Sequence, residues 1–217
     1  QADLLAALLD ALGIERAAVM GISGGGPAAL QYAHRHREQC WGLLPISTVA
    51  GTLHNEIPLS FKITTLLARI PAFERLLLRK LERAPEQAAA RSIPDPELLA
   101  RTVAHPEVWP LFRRMLLATV ERMRDRLDGT ANDIRISSTR TYPLDDIAVP
   151  TLAVHGTADE MVPFEEHARA LERRIPGAEL LAIEGGRHVT IFTHREVVRE
   201  RVTAFLRQHA PATAASA

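Results

Sequence analysis

Residues 19–30, VMGISGGGPAAL, run a short apolar stretch into one serine, three glycines and a proline, and then into a helix-forming sequence. A turn this rich in glycine, set between a strand signal and a helix signal, has few physical solutions. A dinucleotide fingerprint needs glycine where Ser23 stands and an acid about 20 residues on to hold the ribose. That neighbourhood reads CWGLLPIST and has no carboxylate. A P-loop needs Gly-Lys-Ser/Thr at the helix start so that the lysine reaches phosphate. Here Pro27, Ala28 and Ala29 follow the glycines.

The third solution is a nucleophile elbow, G-x-S-x-G, formed by Gly21, Ile22, Ser23, Gly24 and Gly25. Its serine stands on a tight strand-to-helix turn that pushes the hydroxyl out of the sheet. Small residues are expected two before and two after the serine, because the turn brings backbones close. The following helix N-terminus supplies partial positive charge. The N–H of Gly24 is the expected oxyanion-hole donor.

The rest of the chain reads as α/β with a parallel sheet. Leu4, Leu5, Leu8, Leu9 and Leu12 recur at helical spacing before Gly13. Strands are predicted over 17–22, 40–48, 149–155 and 178–183, with helices over 27–38, 163–174 and 196–209. Between about residues 55 and 140 only amphipathic helix signals occur, cut short by Pro71, Pro85, Pro94, Pro96, Pro106 and Pro110. This predicts a core in two halves, 1–54 and 141–210, a helical cap insertion over 55–140, and a disordered tail at 211–217.

Composition excludes several classes. Twenty-six Lys and Arg balance twenty-six Asp and Glu, so no basic excess points to nucleic acid or an anionic membrane. No apolar run approaches the about 18 residues that span a bilayer. The single cysteine, Cys40, cannot form an intrachain disulfide, fits a cytoplasmic location, and reads as a structural thiol. No cluster has metal-ligand spacing, and no metal or cofactor is expected.

A serine hydroxyl is a poor nucleophile without a base, and the base needs an acid to orient it. Two later strands end in HGTAD, which carries Asp159, and GGRH, which carries His188. Both fall just past the carboxyl end of a predicted strand, on the edge that carries Ser23, where open α/β sheets meet ligands. The other candidates are weaker. His34 and His36 read as solvated helix surface, His155 as structural, and His167 and His194 as residues of outer helices. His54 and His105 fall in the insertion. Asp133 reads as a loop cap. Met115, Thr119 and Met123, spaced four apart beside Leu116 and Leu127, read as core of the insertion.

With these residues in place the chain resembles the α/β-hydrolase superfamily over nearly all its length. LLAALLDALGIERAAVMGISGGGPAAL is similar to the family's helix, strand and elbow. IAVPTLAVHGTADEMVPFEEHARAL is similar to its acid-bearing strand and helix, and AELLAIEGGRHVTIF to its histidine loop. The resemblance implies Ser23 as nucleophile, His188 as general base and then acid, Asp159 as the orienting carboxylate, and a helical cap. It implies a serine hydrolase acting on a small, mostly apolar ester, amide or related acyl compound, with carbon–carbon bond cleavage an alternative use of the same triad. A ligand-binding member without turnover is the alternative from another class.

One departure from the family stands out. Ser23 is preceded by 22 residues, room for one helix and one strand, whereas the family has several strands before the elbow and takes a second oxyanion donor from a loop among them. The expectation is that the chain is the C-terminal part of a longer protein, inactive or weakened alone. Its elbow strand is then an edge prone to pairing into a homo-oligomer.

Overall fold

The computed structural model describes residues 1–54 and 59–212. Helix α1 (Ala2–Ala11) stops before Gly13, whose φ of +66° turns the chain toward β1 (Ala17–Ile22). Then come α2 (Gly26–Arg35) and β2 (Cys40–Ile46). Among the described residues six helices follow: α3 (Leu59–Leu67), α4 (Pro71–Arg83), α5 (Pro85–Ala89), α6 (Pro96–Ala104), α7 (Val108–Val120) and α8 (Leu127–Ser137). The alternation resumes with β3 (Leu152–Gly156), α9 (Phe164–Arg174), β4 (Glu179–Ile183), the single turn α10 (Thr190–Thr193) and α11 (Arg195–His209). Of the tail expected at 211–217, residues 213–217 lie outside those described, as do residues 55–58 at the expected start of the insertion.

The strands form one parallel sheet in the order β1-β2-β3-β4. Its apolar residues divide between two faces, as a doubly covered parallel sheet requires. Leu43 and Ala153 pack with Ala29, Leu30, Ala33 and Leu171 of α2 and α9. Leu44, Ile46, Leu152 and Val154 pack with Val198, Val202 and Phe205 of α11. Cys40 is buried in the first cluster, and burial pushes its thiol up to about 11, which suits packing and disfavours thiolate chemistry.

By its contacts the chain divides into two compact units, one made of residues 1–53 with the chain from Thr139 onward, the other His54–Ser138. Within the second unit α7 packs against α4, α5 and α6. Pro71, Pro85 and Pro96 each open a helix, where a missing N–H costs nothing. Asp95 caps α6 by accepting from the N–H groups of Glu97 and Leu98 at 2.8 and 3.0 Å.

The helix expected from the leucine spacing is present as α1, which buries Ala2 and Ala6 and leaves Leu4, Leu5 and Leu8 exposed, because the small residues are the ones that fit the core beside α2. Three other readings from the sequence need correction. Helix α7 ends at Val120, since Arg122 takes φ +54° and its N–H goes to Glu74 Oε1 at 3.0 Å. Met123 therefore leaves the row of Met115 and Thr119. Thr119 is exposed, and the buried positions of α7 are Val108, Phe112 and Val120. Asp133 lies exposed inside α8 rather than capping a loop.

The elbow differs from its sequence reading in where the backbone approaches most closely. Ser23 has φ +48°, a conformation that side chains resist. The backbone approaches closely at Gly21, where an added Cβ would stand 2.7 Å from Ala29 Cβ and 2.8 Å from Gly26 Cα. The matching position after the serine is Gly26, not Gly25. A Cβ on Gly26 would overlap Thr48 Oγ1, whereas one on Gly25 meets open space. Gly26→Ala should therefore cost about 1–3 kcal/mol of stability, as overpacking does. Gly25→Ala, at a helical φ of −79°, should be neutral or stabilising by up to about 1 kcal/mol. Urea unfolding of the two variants separates them, and equal midpoints would contradict the close approach.

Candidate active site

The carboxyl ends of three parallel strands meet at one place. Ser23 directly follows β1, Asp159 lies on the turn after β3, and His188 lies on the loop after β4. His188 Nε2 is 2.8 Å from Ser23 Oγ, and His188 Nδ1 is 2.9 Å from Asp159 Oδ2. A carboxylate only accepts, so Nδ1 carries the hydrogen. Nε2 is then free to accept from the serine hydroxyl. The structure thus brings together the three side chains singled out from the sequence.

Each is held by its own loop. Thr48 Oγ1, just past β2, donates to the Ser23 carbonyl at 2.5 Å and fixes the strained peptide. Asp159 Oδ1 accepts from the N–H groups of Met161 and Val162 at 2.9 and 3.0 Å, which leaves Oδ2 for the histidine. The acid turn and the histidine loop are tied together. Ala158 N–H donates to the Gly186 carbonyl at 2.9 Å, Gly185 N–H to Thr157 Oγ1 at 2.8 Å, and Arg187 pairs with Glu160.

Exposure grades across the three groups. The Asp159 side chain is fully buried, that of His188 is 17% exposed, and Ser23 is half-buried. Burial works against the charge on Asp159. Hydrogen bonds from His155 and His188, the attraction of His188 and the Val162 amide outweigh it and hold the carboxyl well below its usual range. Asp159 is therefore an acceptor throughout the neutral range, and this fixes which nitrogen of His188 faces the serine.

The remaining sequence candidates lie elsewhere or act differently. Gly24 follows Ser23 in the single 3-10 turn Ser23–Gly25, at the mouth of α2. His34 and His36 are half-buried rather than fully solvated, and His36 bonds Asp3 at 2.9 Å. His167 is on the buried face of α9, where Nδ1 accepts the Ala50 N–H at 3.2 Å. His105 Nδ1 accepts from the N–H groups of Glu107 and Val108 at the start of α7, and His194 stands at the N-cap position of α11 with its Nδ1 3.0 Å from Thr193 Oγ1. Thr48 escapes a reading of the sequence because its role depends on β1 and β2 lying in register, with Ile22 opposite Ile46. Among the described residues no cluster of three or more His, Cys, Asp or Glu side chains is arranged to hold a metal. No described helix is long and apolar enough to cross a membrane.

Comparison with known proteins points to the same fold. The alpha/beta hydrolase fold family matches residues 1–195. A poly(3-hydroxyalkanoate) depolymerase from Ectopseudomonas oleovorans is 27% identical over 214 residues, 95% of this chain and 66% of that protein. A 2-hydroxymuconate semialdehyde hydrolase from Pseudomonas putida is 28% identical over 92% of this chain and 65% of its own length. The chain thus spans about two thirds of these curated relatives. Among solved structures, an alpha/beta hydrolase fold protein from Nakamurella multipartita superposes with a TM-score of 0.75 at 29% identity, covering 95% of this chain and 74% of that one. With a parallel four-stranded sheet, a helical insertion after its second strand and a family match over most of its length, the chain belongs to the α/β-hydrolase fold family.

Proposed function

We propose that the chain carries the catalytic machinery of a serine hydrolase that cleaves an acyl bond through a covalent ester on Ser23. The observation that carries this reading is the unbroken hydrogen-bonded chain from Ser23 Oγ through the His188 ring to buried Asp159. As His188 Nε2 takes the hydroxyl proton, Ser23 Oγ bonds to the substrate carbonyl carbon. The negative charge passes to the carbonyl oxygen, which the Gly24 N–H stabilises at the first turn of the elbow. Collapse of that intermediate breaks the bond to the leaving group, which takes the proton from Nε2. Water then loses a proton to Nε2, attacks the ester carbon, and releases the acid as Ser23 recovers its hydrogen.

Asp159 holds its charge throughout and stabilises the imidazolium in each half-reaction. The substrate class is a small, mostly apolar ester, alongside a relative named as a poly(3-hydroxyalkanoate) depolymerase. Amides and carbon–carbon bonds cleaved by the same triad are the related alternatives.

Hydrolysis of p-nitrophenyl butyrate tests the assignment. Ser23→Ala should abolish turnover, and Asp159→Asn should lower kcat by about 10⁴-fold, since an amide no longer enforces the correct imidazole tautomer. Full activity in Ser23→Ala would contradict the proposal.

A further inference from the structure

Resting on the reading of Ser23, His188 and Asp159 as a triad, we infer that a second histidine, His155, is a positioning residue for the orienting carboxylate. His155 is the penultimate residue of β3, and its side chain is only 1% exposed. Its Nε2 lies 2.9 Å from the Val162 carbonyl oxygen. A carbonyl only accepts, so Nε2 carries a hydrogen and donates it there. The same nitrogen is 3.3 Å from Asp159 Oδ2, so its N–H dipole also faces the carboxylate. The ring is packed edge-on against Phe164, with centroids 6.1 Å apart and planes at 72°.

These contacts close a ring around the acid turn. Val162 is gripped from both ends of its backbone. Its N–H donates to Asp159 Oδ1 at 3.0 Å, and its carbonyl accepts from His155. Asp159 cannot swing away from His188 without breaking its bond to Val162, and Val162 cannot follow without leaving His155. His155 thus converts the stiffness of β3 into a fixed direction for Oδ2. Its Nε2 hydrogen is shared between the Val162 carbonyl and Asp159 Oδ2, away from Ser23, so it carries no proton in the reaction. Its effect passes through Asp159.

Removing the donor should leave the Val162 carbonyl buried without its bond and free the turn. Small displacements of a catalytic group are enough to slow chemistry by one to two orders of magnitude. The test compares His155→Phe, which keeps the ring and loses the donor, with His155→Gln, whose amide nitrogen reaches the Nε2 position. Kinetics are read on p-nitrophenyl butyrate, with Ser23→Ala as the control.

His155→Phe should lower kcat about tenfold with KM unchanged, and His155→Gln should restore most of the loss. If His155→Phe does not fold, His155→Asn, whose amide ends at the Nδ1 position, supplies the comparison without a donor at the Nε2 position and with the same expected loss. A wild-type kcat in the donor-free variant, or a glutamine variant as slow as it, would overturn the role of His155 while Ser23-dependent turnover kept the triad reading intact. Turnover in the wild type that does not depend on Ser23 would overturn both.

Discussion

Ser23 adopts φ +48°, and holding a serine in that conformation costs about 1–3 kcal/mol, which the surrounding structure must offset. Much of the neighbouring architecture can be understood as doing so. Gly21 and Ala29 let β1 and α2 approach within van der Waals contact. Gly26 leaves room for Thr48, whose hydroxyl holds the serine carbonyl. The parallel register that sets Ile22 opposite Ile46 brings Thr48 into reach. The elbow is thus a property of two strands and a helix, not of five residues in sequence.

The acid and the histidine are positioned by a different device. Their loops leave adjacent strands, β3 and β4, and are laced together by the Ala158–Gly186 and Gly185–Thr157 hydrogen bonds and by the Arg187–Glu160 pair. Asp159 is buried, yet its charge is satisfied by backbone amides on one oxygen and by histidine on the other. A carboxylate buried without such partners would be neutralised or costly. With them it is a fixed negative charge beside the ring nitrogen that needs it.

The core of this arrangement is legible in the sequence because its signals are local. An apolar run ending in Gly-x-Ser, and strands ending in HGTAD and GGRH, mark three carboxyl ends of a parallel sheet without any knowledge of packing. What is not legible depends on contacts between distant residues. Leucine spacing shows that residues 2–11 form a helix, but it does not show that Ala2 and Ala6 would be the buried face. The motif directs attention to Gly25, while the tight approach falls at Gly26, because Thr48 arrives from another strand. The break after Val120 rests on a contact between Arg122 and Glu74, 48 residues apart. His155 reads as structural until Val162 is seen to be held from both sides.

The proposed chemistry requires Ser23 to be a nucleophile activated by His188. The most direct test is exposure of the folded chain to a fluorophosphonate probe, followed by intact-mass analysis and mapping of the modified residue. One adduct is expected, on Ser23, and its formation should fall to background in His188→Ala. Folded protein that takes up no probe, or a Ser23 adduct that forms as fast without His188, would contradict it.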